Sequence, residues 1–282
     1  MFSIISVYHN KEILERYLLK SLESQSANYE LILIDNTKMQ FKSIAEALNY
    51  GARQIKSQSK YIMFVHPDVD LCTNTWLENA EKILDSLPNL GTTGVAGMSE
   101  EGGSNKERGR NIIKHNNPPI IWPWGNPIKK PEPVQTLDEC LLIIPKSVFN
   151  ILQFDEKTCD DWHLYAVDYC LSCKRLGFEA YAIPMFIYHR SASLSKYRKS
   201  KIQILKSLGP LPESYYQTLE KLLKKHKNYF RRIYTTCGDW STSYPLILQR
   251  ILPLAKAGAR LILRKFKSNK KNELSKSFNN NS

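Results

Sequence analysis

The chain has 282 residues, enough for one α/β domain with an appendage or for two small domains. Hydrophobic residues make up 42% and charged residues 24%, a composition that excludes general disorder. The net charge of +13 sits at one end: residues 201–282 carry 17 Lys/Arg against 4 Asp/Glu, whereas the first 200 residues balance. A neutral front joined to a basic tail implies two tasks, with binding or catalysis in front and contact with an anionic surface behind.

Phe2 to Tyr8 is a short β-branched, apolar run, which predicts a buried strand. Lys11 to Gln25 reads as a helix with Ile13, Leu14, Tyr17, Leu18 and Leu22 on one face. Glu30 to Ile34 predicts a second strand ending at Asp35, Ser43 to Ile55 a second helix, and Lys60 to Val65 a third strand running into His66-Pro67-Asp68-Val69-Asp70. Thr75 to Leu84 follows as a helix and Gly94 to Gly97 as a small strand. This β-α-β-α-β order predicts a mostly parallel sheet with helices on both faces. Ser99 to Pro133, rich in Gly, Pro and Asn, reads as a long loop. Thr136 to Pro145 is strand-like, Asp161 to Leu176 is helical and stopped by Gly177, and Glu179 to Ile187 is a late strand that delivers His189.

In such sheets ligands bind beyond the carboxyl ends of the strands. Tyr8, His9 and Asn10 follow the first strand, Asp35 closes the second, and Asp68 and Asp70 follow the third. Polar groups from three strands thus converge on one rim. Two carboxylates spaced as Asp68-Val69-Asp70 after a strand suit a hard divalent cation that clamps phosphates, although a solvated turn explains the same pattern. Asp35 stands where nucleotide-binding α/β folds place an acid toward the ribose or base, or where a turn Asp would serve. Asp161, before Trp162 and Tyr165, is a candidate general base, with Asp160 as an alternative; an N-cap role is the competing reading. His189 is either a cation ligand or a structural histidine. Trp122 and Trp124 either stack on a sugar ring or anchor their loop.

The runs Ile5-Ser6-Val7-Tyr8-His9-Asn10-Lys11, Leu31-Ile32-Leu33-Ile34-Asp35-Asn36-Thr37 and Tyr61-Ile62-Met63-Phe64-Val65-His66-Pro67-Asp68-Val69-Asp70 together resemble glycosyltransferase family 2. The resemblance continues through Thr136-Leu137-Asp138, Phe154-Asp155-Glu156, Asp160-Asp161-Trp162-His163-Leu164-Tyr165 and Tyr188-His189-Arg190-Ser191, covering about residues 1 to 195. The His-Pro-Asp-Val variant looks like a bacterial subgroup in which His precedes the D-x-D. The resemblance implies a GT-A fold, which is α/β with a Rossmann-like, mostly parallel sheet, and here carries a basic helical C-terminal extension. It implies a catalytic domain over 1–195, with a nucleotide-binding half at 1–97 and an acceptor-binding half at 98–195. The extension is expected over 196–267 and a disordered tail over 268–282.

By the same resemblance, Val7, Tyr8, His9 and Asp35 contact the nucleotide, joined by Asp68. Asp70, Asp68 and His189 hold Mn²⁺ or Mg²⁺. Asp161 is the base of an inverting transfer. Many family members carry an acid pair one helical turn later, where this chain has Tyr165-Ala166, so Asp168 is a third candidate. Acceptor contacts are expected from Trp122, Trp124, Asp138 and Trp162. The implied partners are a nucleotide-sugar donor, with UDP the commonest nucleotide in the family, and a glycan or glycolipid acceptor of a bacterial surface polysaccharide or lipopolysaccharide. A nucleotide-sugar-forming nucleotidyltransferase shares the general fold, but Tyr8-His9-Asn10-Lys11 is not the Gly-rich phosphate loop it requires. A basic nucleic-acid-binding protein is disfavoured by the apolar content of the tail and the lack of a base-reading motif, so no nucleic-acid partner is expected.

In the tail, Lys256, Arg260 and Arg264 recur every four residues among apolar residues, the pattern of a basic helix that lies on an anionic membrane surface or docks on the domain. The cysteines Cys72, Cys140, Cys159, Cys170, Cys173 and Cys237 are irregularly spaced, and nothing completes a zinc site around Cys170 and Cys173. With no charged-then-apolar leader and no apolar run long enough to span a bilayer, the expectation is reduced thiols in a cytoplasmic protein, peripheral on the inner face of the plasma membrane.

Overall fold

The computed structural model describes residues 1–111, 113–117, 120–190 and 211–252. The expectations placed on 196–210 and 253–282, including the amphipathic basic helix and the tail, lie outside the described residues.

The front half follows the predicted alternation. Strand β1 (Phe2–Tyr8) leads into α1 (Lys11–Leu14), which widens into a π turn over Glu15–Leu19 and resumes as α2 (Lys20–Glu23). Then come β2 (Tyr29–Asp35), α3 (Ile44–Ala52), β3 (Tyr61–Val65), a short β4 (Val69–Leu71), α4 (Trp76–Asp85), β5 (Leu90–Gly94) and β6 (Gly97–Met98). Asn10 starts the first helix by accepting the Ile13 N–H on Oδ1 at 3.1 Å.

The expected Ser99–Pro133 loop instead contains structure. After α5 (Asn105–Arg108) and β7 (Gly109–Arg110), β8 (Ile113–Asn117) and β9 (Ile120–Trp124) form an antiparallel pair, and β10 (Glu132–Val134) follows. Among the described residues β9 is an edge strand, where Pro123, which has no N–H, interrupts no ladder to a further strand. Its Pro- and Asn-rich neighbourhood made it read as loop.

β11 (Thr136–Leu137) and β12 (Leu141–Pro145) are separated by the turn Asp138-Glu139-Cys140, and α6 (Lys146–Ile151) follows. The helix expected from Asp161 begins later, as α7 (Tyr165–Arg175), because Leu164 adopts a left-handed φ of 65° that breaks the helical path. It stops as predicted, with Gly177 at φ 83° and the Phe178 N–H bonded back to the Cys173 carbonyl at 3.0 Å. The late strand is two pieces, β13 (Glu179–Ala182) and β14 (Ile187–His189), in different sheets. Beyond them, α8 (Glu213–His226) and the hairpin β15 (Arg232–Thr235) and β16 (Gly238–Ser241) belong to the basic extension.

The main sheet has seven strands in the order β10-β13-β5-β12-β3-β1-β2. β2, β1, β3, β5 and β13 run in one direction; β12 and β10 run against them. Strand alternation divides the core between the two faces. Ile5, Val7, Ile62, Phe64, Leu142 and Ile144 pack with α3, α6 and α7 on one face. Phe2, Ile4, Met63, Val65, Leu141 and Ile143 pack with the α1–α2 run and α4 on the other. A third cluster joins Val167 and Leu171 of α7 to Leu219 and Leu222 of α8 and Trp240 of β16. Burying each of those leucines contributes about 1.5–3 kcal/mol. The described part of the extension is therefore docked on the domain.

All six thiols are free, and Cys170 and Cys173 are buried in α7 as core residues. Among the described residues no helix is long and apolar enough to cross a membrane.

Candidate active site

The register of the sheet decides which side chains meet. Tyr8 is level with Asp35, and Phe64 with Ile5, so β1, β2 and β3 end along one edge. β12 runs antiparallel to β3 with Leu141 opposite Val65, which sets the Asp138-Glu139-Cys140 turn beside the carboxyl end of β3; the His66 N–H donates to the Cys140 carbonyl at 2.9 Å. β14 pairs with β4 so that His189 lies opposite Val69. A cavity of about 670 Å³ opens among these elements. Its walls include Val7, His9, Asp68, Asp138, Trp162 and His189, all expected site residues, together with His66, Glu139, His163 and Tyr165. The extension closes it with Tyr215 and with Thr235 to Cys237 of the hairpin.

Within this cavity His66, Asp68 and His189 present ligand atoms within 4.8 Å of one another, an arrangement that fits a metal ion. The His189 Nε2 stands 3.4 Å from Asp68 Oδ1, and the two imidazoles are 5.5 Å apart. Burial alone would raise the Asp68 carboxyl, but the hydrogen bond and charge of His189, with His66, hold it down at about 2. Burial lowers His66, while for His189 the bond to Asp68 outweighs burial and raises it. The Tyr165 hydroxyl donates to the Glu139 carbonyl at 2.6 Å and lies 3.3 Å from His66 Nε2. With the tyrosine proton so committed, His66 Nε2 is the donor and Nδ1 keeps the lone pair, the arrangement by which an outer partner fixes a ligand's tautomer. His189 is also within reach of Asp138 and Cys140, but Cys140 is fully buried behind the cavity wall.

The other expected residues are placed differently. Asp70 lies outside that cluster: its Oδ2 accepts from the Arg190 guanidinium at 2.9 Å, because the β4–β14 pairing sets Tyr188 opposite Asp70 and Arg190 just beyond. Asp35 accepts the Thr37 N–H at 2.8 Å, and that bond holds its carboxyl below the usual range. The residues that follow it, Asn36 and Thr37, line a second cavity of about 480 Å³ with His9, Met39 and Trp162. His9 and Trp162, in edge-to-face contact at 5.4 Å, border both cavities. Tyr8 precedes His9 at the strand end, its hydroxyl raised by burial and then by Asp35.

Asp161 is not part of the large cavity's wall; its Oδ1 accepts the Trp162 N–H at 2.5 Å, and its carbonyl accepts the Ile44 N–H. Asp160 pairs with Lys221 of α8. Asp168, 2% exposed, is held by Lys225 at 2.7 Å and His226 at 2.8 Å, which makes it a docking residue for α8, closed off from any acceptor. Trp122 and Trp124 occupy the edge strand β9, and their side chains lie outside the described residues. The sequence marks the cavity residues His66 and Glu139 by position alone: one follows the third strand and the other Asp138.

An α/β sheet of this kind binds its ligand beyond the carboxyl ends of its strands, where two imidazoles and a carboxylate gather here. The chain belongs to the glycosyltransferase like family, whose model matches residues 3–206. Among solved structures it is similar to the mannosyltransferase PcManGT from Pyrobaculum calidifontis in complex with GDP-Man and Mn²⁺, at 12% identity over 93% of this chain and 80% of that one, with a TM-score of 0.47. It is also similar to S. aureus TarS 1-349 in complex with UDP-GlcNAc, at 13% identity over 82% and 73%, TM-score 0.45. A third is GalNAc-T7 with UDP, GalNAc and Mn²⁺, at 12% identity and TM-score 0.46; the overlap is 67% of this chain but only 43% of that one, so the chain spans less than half its length. No curated protein matches the chain in sequence.

Proposed function

We propose that the protein is a metal-dependent, inverting glycosyltransferase that moves a sugar from a nucleotide-sugar, with UDP the first candidate nucleotide, to an acceptor hydroxyl of a bacterial surface polysaccharide or lipopolysaccharide. The observation that carries this reading is the His66–Asp68–His189 cluster at the carboxyl ends of the parallel strands, inside a chain of the glycosyltransferase like family. Two nitrogen donors and one carboxylate suit a transition-metal dication such as Mn²⁺ better than Mg²⁺, which prefers oxygen ligands. The ion, when bound, neutralises the diphosphate charge.

The chain's own residues divide the remaining work. His9, Asn36 and Thr37 border the space assigned to base and ribose, Asp35 directly precedes Asn36 there, and Trp162 stands between this space and the larger cavity, lined by Val7, that is assigned to sugar and acceptor. Asp138 is assigned to the acceptor side. The extension contributes the outer wall, which excludes water from the sugar once the cavity is filled. Residues 253–282, with eight Lys/Arg against one Glu, are assigned to contact with an anionic membrane surface near the acceptor.

The test is release of nucleoside diphosphate from UDP-GlcNAc and GDP-mannose by purified protein with and without Mn²⁺. Metal-dependent release from one donor is expected. Release that ignores metal, or none from any nucleotide-sugar alongside no binding of UDP or GDP, counts against the assignment.

A further inference from the structure

Two carboxyl groups in the large cavity, Asp138 and Glu139, take no part in the cation cluster or the assigned nucleotide space. Glu139 lies in the turn between β11 and β12 and belongs to the cavity wall. Asp138 adjoins it in the same turn. Cys159 and Tyr165 face it from before and within α7, Tyr215 from α8, and Cys237 from the tip of the β15–β16 hairpin. His66 reaches it only through the Tyr165 hydroxyl. Among the described residues Asp138 is the one carboxylate in this surround; the thiols and phenols, raised by burial, are neutral near pH 7.

Oε1 of Glu139 is buried and has no hydrogen-bond partner among the described residues. An enclosed acceptor left unmet is costly, and folded proteins rarely keep one unless water or a ligand brings the donor or the group serves catalysis. The N–H groups of Leu164 and Tyr165 face the carboxyl from the start of α7, an 11-residue helix, where negative charge is favoured. The site therefore tolerates the carboxylate while withholding a hydrogen-bond donor from one of its oxygens.

We propose that Glu139 is the general base of sugar transfer, its Oε1 receiving the proton of the acceptor hydroxyl; this rests on the nucleotide-sugar reading above. As the hydroxyl oxygen bonds to the anomeric carbon, the bond from that carbon to the diphosphate oxygen breaks. The bonding pair leaves with the nucleoside diphosphate, and the hydroxyl proton passes to the Glu139 carboxylate. Glu139 starts ionised and ends protonated. Burial, then the charge of Asp138, push this carboxyl up to about 8 against the pull of the two helix N–H groups. That strength suits proton transfer near neutral pH. Asp161 lies outside the cavity wall, and Asp138 already has Oδ1 bonded to the Cys140 N–H at 3.1 Å.

The experiment compares wild type, Glu139→Gln and Glu139→Asp with UDP-GlcNAc and GDP-mannose in Mn²⁺, water serving as the acceptor. Calorimetry measures UDP and GDP binding, and diphosphate release and melting temperature are followed against pH. Glu139→Gln is expected to bind nucleotide as wild type does but to lose turnover by about 10²–10⁴-fold. It should also lack the rise in rate that wild type shows as pH passes through about 8. Because a carboxyl raised on folding makes the native state less stable as pH climbs above its unfolded value, the melting temperature of Glu139→Gln should gain on wild type from about pH 5 to 8. Glu139→Asp should keep the pH dependence at a reduced rate, and it decides the matter if Glu139→Gln does not fold.

Turnover of Glu139→Gln within about threefold of wild type, with an unaltered pH profile, overturns the assignment, since a lost base costs far more; where Glu139→Gln does not fold, loss of the pH dependence in Glu139→Asp overturns it instead. A wild type that binds neither UDP nor GDP defeats the nucleotide-sugar reading itself and takes the assignment with it.

Discussion

His66, Asp68 and His189 show how one side chain's direction depends on distant pairing. That Asp68 and His189 stand on one rim is legible in the sequence, because each lies at a strand end. The proximity of His66 to them is not legible, since the D-x-D spacing points to Asp70. Nothing local to Asp70 shows that Arg190 will meet it; only the pairing of β14 with β4, more than a hundred residues apart in sequence, does that. The arrangement predicts that His66→Ala and Asp68→Asn each weaken Mn²⁺-dependent UDP binding by at least about tenfold, the scale on which losing even an outer-shell partner acts. Asp70→Asn should leave that binding largely intact and instead free the Arg190 side chain. Calorimetry on the three variants separates these outcomes, and strong loss in Asp70→Asn alone would restore Asp70 as the ligand.

At the scale of elements, α7 and α8 act as one unit. Lys225 bridges Asp155 at 2.9 Å and Asp168 at 2.7 Å, while His226, fully buried, bonds the other oxygen of Asp168. Asp168→Asn leaves Lys225 paired with Asp155 but takes a charged acceptor from Lys225 and from the buried His226, so it should destabilise the protein by about 1–3 kcal/mol. Leu222→Ala, at the α7–α8 contact, should cost about 2–5 kcal/mol. Denaturant unfolding measures both; a change under about 1 kcal/mol in each would mean that the extension is not held by this contact. Helix α7 and its Gly177 stop were readable from periodicity. Its start was not, because the left-handed Leu164 is a backbone state that a leucine does not advertise. The β8–β9 pair was hidden for the opposite reason: turn-forming residues fill strands that are held by an edge neighbour.

For the whole molecule, the parallel half of the sheet was the most legible part, since alternation of β-branched strands with amphipathic helices leaves few topologies. The role of the extension was not legible, because its docking face is set by α7. Acid should unfold the protein in part through Glu30, whose carboxylate accepts from Ser3, Ser57 and the Lys56 N–H. Burial works against these bonds, yet they hold it at about 2. A carboxyl lowered on folding contributes stability above its unfolded value and loses it as pH falls, so the acid limb attributable to Glu30 spans about pH 4.5 to 2. Glu30→Gln should flatten that limb in chemical denaturation curves taken across it. The basic end should bind vesicles containing anionic lipid and ignore neutral ones, a preference that truncation after residue 252 removes; equal flotation with both vesicle types would contradict it.

The most direct measurement is the thermal stability of wild type and Asp68→Asn with UDP alone, Mn²⁺ alone and both together. Ligand at about a hundred times its dissociation constant stabilises the folded state by about 2.7 kcal/mol. A rise in melting temperature that needs UDP and Mn²⁺ together in wild type, and disappears in Asp68→Asn, is the expected result. An equal rise without metal, or one undiminished in Asp68→Asn, would show that the imidazole–carboxylate cluster does not hold the nucleotide.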